Sequence, residues 1–275
     1  MSAKGEKFEP KVSKGASNQE NLLSRAIEIL REEGAWSLFR KAAAYMVTHT
    51  VRELGFLVRP YALFKIKSLN QRSCNVDELL NFTFNRLVGL IKPSQVYREI
   101  SQLLKLVDRI KPRVVLEIGT ANGGTLFLFS RVASEDATII SIDLPGGRFG
   151  GGYRKWREPL YRSFALLSQK IYLLRGDSHK TETLEQVELV LQGRKVDFLF
   201  IDGDHTYEGV KRDFEMYSPL VGQGGMIAFH DIVSGPVKNV GGVPEFWRRV
   251  KDNHKSEEIV NDWSQRGCGI GVVYV

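Results

Sequence analysis

Cysteine is scarce in this 275-residue chain, which contains only Cys74 and Cys268. Their separation matches no zinc, iron–sulfur or dithiol redox spacing, so we expect two reduced thiols. Long apolar runs are also missing, because no stretch reaches the roughly 18 apolar residues that indicate a membrane-spanning helix. Residues 1–20 are polar and rich in lysine, unlike a secretory signal. We therefore expect a cytoplasmic protein with one main domain.

The excess of positive charge is confined to the start of the chain. Of the formal net charge of +7, residues 1–72 contribute +6, with 13 Lys and Arg against 7 Asp and Glu. The remainder is almost neutral, so we expect no nucleic-acid partner. The apolar and basic residues within 36–69 are compatible with peripheral contact at the inner face of a membrane. The favoured alternative is that they pack on the main domain or across a homo-oligomer.

The sequence divides into three regions. Residues 1–20 lack apolar periodicity and are predicted to be a disordered tail. Residues 21–90 show apolar residues at helical spacing, which predicts a helical N-terminal extension. Residues 91–275 alternate between strand-like and helix-like patterns. The apolar runs Val114–Ile118 and Val196–Ile201 suit strands that are covered on both faces, and they predict an α/β fold with a doubly wound parallel sheet.

Predicted elements of the main domain can be stated with their bounds. The strands are Val114–Ile118, Thr138–Ile142, Ile171–Leu174, Val196–Ile201, Met226–Phe229 and Gly271–Val275. The helices are Gln95–Arg109, Gly124–Ala133, Lys155–Ser168, Leu184–Leu191, Tyr207–Tyr217 and Pro244–His254.

A nucleotide site is predicted where the first two strands end. Gly119 and Gly123 allow close backbone approach after the first strand, and the following helix offers its amino end. Asp143 follows the second strand and can accept hydrogen bonds from ribose hydroxyls. A dinucleotide fingerprint fails, because Ala121 stands where its second glycine is needed. Since acids repel phosphate, Glu117 and Asp143 favour adenosine carrying a cationic tail over a pyrophosphate.

A second cluster of polar residues follows the fourth and fifth predicted strands. Asp202 ends one strand, His230 and Asp231 end the other, and His205 lies three residues beyond Asp202. Parallel strands end at the same sheet edge, so we expect these side chains to converge there. Carboxylates of Asp202 and Asp231, with His230 as a weaker ligand, could bind a divalent cation that activates an acceptor hydroxyl. The competing interpretation is a capped helix start beside a packed histidine.

Five segments together resemble a known family. They are Glu117-Ile-Gly-Thr120, the glycine-rich Ile142–Tyr153, Arg175-Gly-Asp-Ser-His179, Phe200-Ile-Asp-Gly-Asp-His-Thr-Tyr-Glu-Gly-Val210 and Phe229-His-Asp-Ile232. In this combination, residues 91–275 resemble the class I S-adenosylmethionine (SAM)-dependent methyltransferases grouped with the cephalosporin-hydroxylase-like and the rhamnosyl or macrolide-sugar O-methyltransferases.

The resemblance implies a Rossmann-like sheet of seven strands with the last antiparallel, and O-methylation of a small-molecule or glycan acceptor. It implies Mg²⁺ or Mn²⁺ at the acid cluster, with His205 as general base. Asp177 would lie near the adenine, and the Gly146–Tyr153 loop would border the acceptor pocket, although a merely flexible connection is the alternative. From the residues and the resemblance together, the expected cofactor-binding residues are Glu117, Gly119, Thr120, Gly123, Asp143 and Asp202, and the resemblance adds Asp177.

Two other functions remain open at this stage. The family label suggests a hydroxylase, and His205, His230 and Asp231 could form a two-histidine, one-carboxylate iron site. A non-catalytic nucleotide-binding scaffold held at a membrane by its basic N-terminal segment is the third interpretation. A product heavier by CH₂ would indicate a methyltransferase, and a product heavier by O would indicate a hydroxylase.

Overall fold

A computed structural model describes residues 26–27, 29–31, 34–40, 42–43, 46, 55–87, 89–146 and 152–275. The predicted tail, residues 1–20, lies outside the described residues, as does the middle of the Gly146–Tyr153 loop. The chain divides into two compact units, Met1–Glu53 and Leu54–Val275. In the first unit, the described residues are helical except for Gly34. The second unit contains every predicted site residue.

Short helices open the second unit. A 3₁₀ turn, Gly55–Leu57, leads into helix α1, Arg59–Asn70, which has a proline in its first turn. Helix α2, Val76–Asn81, begins at a capping box in which the Glu78 amide donates to Asn75. A π-helical turn, Phe82–Arg86, extends it. Helix α3, Tyr97–Ile110, buries the apolar stripe Ile100, Leu103, Leu104 and Val107, as its helical spacing predicts.

Helix α1 presents two different faces. It buries Ile66 and Leu69, whereas Tyr61 and Phe64 are exposed. Leu57, just before the helix, is 65% exposed, and Phe64 is 67% exposed. The segment therefore packs only in part, and its outer face is a candidate contact surface.

Seven strands form a single sheet. They are β1 Val114–Ile118, β2 Thr138–Ile142, β3 Lys170–Leu174, β4 Val196–Ile201, β5 Val221–His230, β6 Lys255–Ile259 and β7 Ile270–Tyr274. The order across the sheet is β3-β2-β1-β4-β5-β7-β6. Strands β1 to β5 are parallel, and β7 runs antiparallel to both β5 and β6. The predicted seven-stranded α/β fold with an antiparallel last strand is confirmed.

The remaining helices cover the sheet. They are α4 Gly124–Val132, α5 Glu158–Arg162, α6 Thr181–Leu191, α7 Tyr207–Tyr217, α8 Val237–Val240 and α9 Val243–Lys251. Every residue of β1 and β2 is buried, as in a sheet packed on both faces. In the strand order β3-β2-β1-β4-β5, the chain runs from β1 toward one edge of the sheet and then returns to β4 on the other side of β1. Ligands of such sheets bind at this point, beyond the carboxyl ends of the strands.

The structure departs from the prediction over Lys155–Ser168 and at Lys255–Ile259. The prediction of one helix over Lys155–Ser168 is wrong, because a 3₁₀ turn, Lys155–Arg157, precedes a helix that ends at Arg162. No strand was predicted at Lys255–Ile259, yet β6 forms there. Four of its five residues are exposed, since an edge strand pairs on one side only and needs little apolar sequence.

Candidate active site

The turn after β1 touches the end of β4. Gly119 has φ +96°, and a Cβ atom there would lie 2.0 Å from the carbonyl oxygen of Asp202. Gly123, at φ +77°, precedes α4, and a Cβ atom there would lie 2.5 Å from the ring of Tyr161. Both positions require glycine for conformation and for space. The predicted nucleotide turn and the predicted acid cluster are consequently in direct contact.

Glu117 and Thr120 are both buried, with exposed fractions of 0% and 2%. Glu117 is fully buried and accepts a hydrogen bond from Ser141 Oγ at 3.2 Å, while the Thr120 hydroxyl also pairs with Ser141. Burial raises the pKa of Glu117 to about 8, so its carboxyl is mostly protonated at neutral pH. Its Oε1 has no hydrogen-bond partner among the described residues. A cation placed beside this carboxyl would favour its ionised form, and the cofactor roles of Glu117 and Thr120 stay predictions.

Asp143 is held by the backbone of two loops. Its carboxylate accepts a hydrogen bond from the Ala121 amide at 2.8 Å and another from the Gly152 amide at 2.8 Å. Burial raises its pKa despite these two donors. Each carboxylate oxygen can accept more than one hydrogen bond, so capacity remains for a ribose diol. The arrangement fits the predicted role, although the ligand would have to share Asp143 with Gly152.

Asp177 lies in the turn after β3. Its carboxylate accepts from the His179 amide at 2.9 Å, and the amide of the preceding Gly176 donates to the Asp143 carbonyl at 3.1 Å. The turn is therefore fixed beside Asp143, where the adenine end of a nucleotide would extend. The adenine role of Asp177 stays a prediction.

The predicted acid–histidine cluster does converge. His205 lies between the two carboxylates, with Nε2 at 3.3 Å from Asp202 Oδ1 and Nδ1 at 3.2 Å from Asp231 Oδ2. His230 Nδ1 lies 3.1 Å from Asp202 Oδ1. His205 Nδ1 also lies 2.6 Å from the Asn239 carbonyl oxygen. Residues from three separate segments thus form one polar group at the sheet edge.

Charge in this cluster is balanced internally. Burial alone would disfavour an imidazolium, but the hydrogen bond and charge of Asp202 raise the pKa of His205 to about 9. The same carboxylate and Asp231 raise the pKa of His230 well above its usual range despite burial. Burial would raise the pKa of Asp202, yet the two histidines hold it well below its ordinary value. The His205 ring is therefore protonated at neutral pH in this arrangement, and its role as general base stays a prediction.

The cluster can hold a cation of the expected kind. Donor atoms of Asp202, His205 and Asp231 lie within 4.8 Å of one another. Two carboxylate oxygens and one imidazole are donors that Mn²⁺ accepts readily, while Mg²⁺ prefers oxygen alone. The imidazolium of His205 currently supplies the positive charge between the carboxylates. A divalent cation would have to replace that charge, so its binding would release the ring proton.

Sequence reasoning missed two members of the site. Gln95 Nε2 donates to Asp202 Oδ2 at 2.7 Å, and the Cys268 amide donates to Asp231 Oδ1 at 2.8 Å. No local pattern marks either residue, because both reach the cluster only through tertiary packing. From the sequence, only the residues at the strand ends could be predicted to belong to the site.

The end of the glycine-rich loop is anchored near Asp143. Arg175 Nη1 donates to the Tyr153 carbonyl at 2.6 Å, and the Arg175 guanidinium lies 4.6 Å from the centre of the Tyr153 ring. The Tyr153 ring also meets the ring of Tyr161 at 4.9 Å between centroids. Aromatic side chains therefore form one wall beside the predicted ribose position.

A protein-family match agrees with this fold and site. The family model described as a methyltransferase domain matches residues 116–232. This segment includes the glycine turn, Asp143, Asp202, His205 and Asp231. The matched segment makes up less than half of the chain.

Two relatives share part of the sequence. The uncharacterized protein y4gI of Sinorhizobium fredii (strain NBRC 101917 / NGR234) is 30% identical over 151 residues, which are 53% of this chain and 16% of the relative. The uncharacterized protein R132 of Acanthamoeba polyphaga mimivirus is 53% identical over 116 residues, which are 42% of this chain and 50% of the relative. The matched segments thus span half or less of the relatives' own lengths.

A solved structure shows the same fold. The O-methyltransferase from Bacillus cereus, in complex with SAH, has a TM-score of 0.51 and 20% identity, covering 73% of this chain and 90% of that one. At this level of identity the likeness concerns the fold, here the seven-stranded Rossmann-like sheet of methyltransferases.

Proposed function

We propose that this protein transfers a methyl group from SAM to a hydroxyl oxygen of a small-molecule or glycan acceptor. The observation that carries the proposal is the contact between Gly119 and Asp202. This contact joins the predicted cofactor turn to a polar cluster suited to an acceptor hydroxyl. Methyl transfer needs these two functions side by side, because cofactor and acceptor must meet in line. The methyltransferase-domain match spans both parts.

The cofactor side relies on the close backbone approach at two glycines and on the carboxylate of Asp143. When bound, SAM supplies an already activated methyl group. Asp143 would accept hydrogen bonds from the ribose hydroxyls, and the backbone at Gly119 and Gly123 would approach the cofactor closely. Burial raises the pKa of Glu117 to about 8, and a cationic group bound beside it would lower that pKa and favour the ionised carboxylate.

The acceptor side relies on the acid–histidine cluster. Asp202 and Asp231 would hold Mg²⁺ or Mn²⁺, which lowers the pKa of a bound hydroxyl. Gln95 orients Asp202 through its hydrogen bond of 2.7 Å. His205, once its ring proton is lost, is placed to accept the proton of the acceptor hydroxyl. A proton must therefore leave His205 before it can act as a base.

The acceptor class rests on the resemblance of residues 91–275 to sugar-modifying O-methyltransferases. A panel of sugars, glycolipids and phenolic compounds, incubated with methyl-labelled SAM and Mn²⁺, tests the proposal. We expect transfer of label and a product heavier by CH₂. A product heavier by O would instead establish the hydroxylase. SAM binding without any transfer over a broad panel would favour the non-catalytic scaffold.

The exposed face of α1 is proposed as a contact between copies of this chain. Leu57, Tyr61 and Phe64 are exposed there, and such apolar clusters usually mark an interaction surface. Sedimentation of the wild type and of Phe64→Ser should show a dimer that the substitution weakens. Binding to anionic vesicles that Phe64→Ser abolishes, without dimerisation, would identify the peripheral membrane contact instead. In the described part of the chain, none of the helices has the length and apolar character needed to cross a bilayer.

A further inference from the structure

Cys268 lies opposite the chain segment that follows β5. The antiparallel ladder pairs His230 with Ile270. Beyond it, the Val233 amide donates to the Cys268 carbonyl at 2.9 Å, and the Cys268 amide donates to Asp231 Oδ1 at 2.8 Å. The pairing of β5 with β7 therefore places the Cys268 thiol at the edge of the acid–histidine cluster.

Three different ligand types meet at this point. A ring nitrogen of His230, a carboxylate oxygen of Asp231 and Sγ of Cys268 lie within 4.8 Å of one another. His230 is 5% exposed, and its Nδ1 is already engaged by Asp202 at 3.1 Å. Its Nε2 is buried and has no hydrogen-bond partner among the described residues. A buried ring nitrogen without a partner is costly unless a ligand satisfies it.

The spacing and chemistry fit a transition metal. Metal bonds of about 2.3 Å to sulfur and about 2.1 Å to nitrogen place the two donors about 3.6 Å apart in a tetrahedral site. The donor atoms lie within 4.8 Å of one another, so reaching this value requires an approach of at most about 1.2 Å. Thiolate and imidazole are ligands that Zn²⁺ and Co²⁺ prefer, whereas Mg²⁺ selects oxygen. Three protein ligands leave a fourth position open, as in catalytic rather than structural zinc sites.

We propose that His230, Asp231 and Cys268 bind a divalent cation of the Zn²⁺ or Co²⁺ class. This site is separate from the Asp202–His205–Asp231 set but shares Asp231 with it. It goes beyond the proposed methyl transfer and does not require it. Bound there, the cation would be held by a ring nitrogen of His230 and would require the Cys268 thiol to lose its proton.

Cobalt spectroscopy on the metal-free, full-length protein tests the site directly. Co²⁺ bound by a thiolate gives an intense sulfur-to-metal charge-transfer band in the near ultraviolet. We expect this band in the wild type and in Cys74→Ser, the matched control, and its loss in Cys268→Ser. In a chelator competition, Zn²⁺ affinity of Cys268→Ser should fall by more than the roughly 10- to 100-fold cost of losing an outer-shell partner. A band that persists in Cys268→Ser, or its absence from the wild type, overturns the proposal.

A second measurement requires no variant. Alkylation of the two thiols can be followed by peptide mass spectrometry with and without metal. Zn²⁺ should slow the modification of Cys268 but not of Cys74, and Mg²⁺ should slow neither. Equal protection of both thiols, or of neither, contradicts the assignment.

The outcome is distinguishable from failure of the proposed function. Cys268→Ser should keep its affinity for SAH, which depends on the Asp143 side of the fold. Asp202→Asn, which removes a carboxylate from the other metal set but keeps an oxygen for the contact with His230 Nδ1, should keep the cobalt band. Loss of the band in Asp202→Asn would show that the two sets of ligands form one site, and it would refute a separate site at Cys268. Failure of SAH binding in all proteins would instead count against methyl transfer alone.

Discussion

Replacing His205 by asparagine should remove a pH-dependent part of the folding stability. The ring is held between Asp202 and Asp231 at 3.3 Å and 3.2 Å, and its pKa is raised from 6.5 to about 9. A histidine whose folded pKa exceeds its unfolded value stabilises the fold fully below pH 6.5. That stabilisation is lost as the pH rises through about 9. At about 1.4 kcal/mol per pKa unit, the difference corresponds to about 3 kcal/mol.

Urea unfolding at several pH values between 6 and 9.5, with EDTA present, measures this contribution. The excess stability of the wild type over His205→Asn should shrink by about 3 kcal/mol across this range. Glu117 also loses a proton in this interval, because its pKa is about 8, so the wild type retains a further slope that the variant shares. Subtracting the variant from the wild type isolates His205.

A matched control and a clear contrary result complete the experiment. His254 follows α9 and lies outside the acid–histidine cluster, so His254→Asn should keep the pH-dependent stability that comes from that cluster. If the stability difference between the wild type and His205→Asn stays constant from pH 6 to 9.5, His205 is not held as an imidazolium between the two carboxylates. The balanced-charge description of the cluster would then be wrong.

Three further predictions concern binding, catalysis and the N-terminal segment. Asp143→Ala should weaken SAH binding in calorimetry by about 1.5 to 3 kcal/mol, the scale of hydrogen bonds to a charged group, whereas the exposed control Asp136→Ala should not; equal affinities would remove Asp143 from the cofactor site. Asp202→Ala, like EDTA, should abolish turnover with little change in SAH affinity. His205→Ala should slow turnover by about 10² to 10⁴, with the smallest loss at high pH. Turnover that EDTA does not affect would exclude the cation. Deletion of residues 1–20 should leave the melting temperature and turnover unchanged, and a lower melting temperature would show that this segment packs.

Much of the framework could be predicted because it depends on local pattern. Uninterrupted apolar runs predict strands covered on both faces, and β1 and β4 lie where these runs occur. Parallel strands end at one edge, so Asp202 and Asp231 could be expected near each other before any coordinates were known. Only β6, whose residues are mostly polar, lacked the apolar signal from which a strand can be predicted.

The amino-acid sequence by itself determined the order of elements and the residue types at the strand ends. Only the tertiary structure decided how each side chain is charged and paired. Glu117, expected to face the cofactor as an anion, is buried and mostly protonated, since burial removes the water that stabilises a carboxylate. Cys268 joins Asp231 across 37 residues because β7 returns antiparallel to β5. Such pairings depend on long-range packing, which no spacing within the chain encodes.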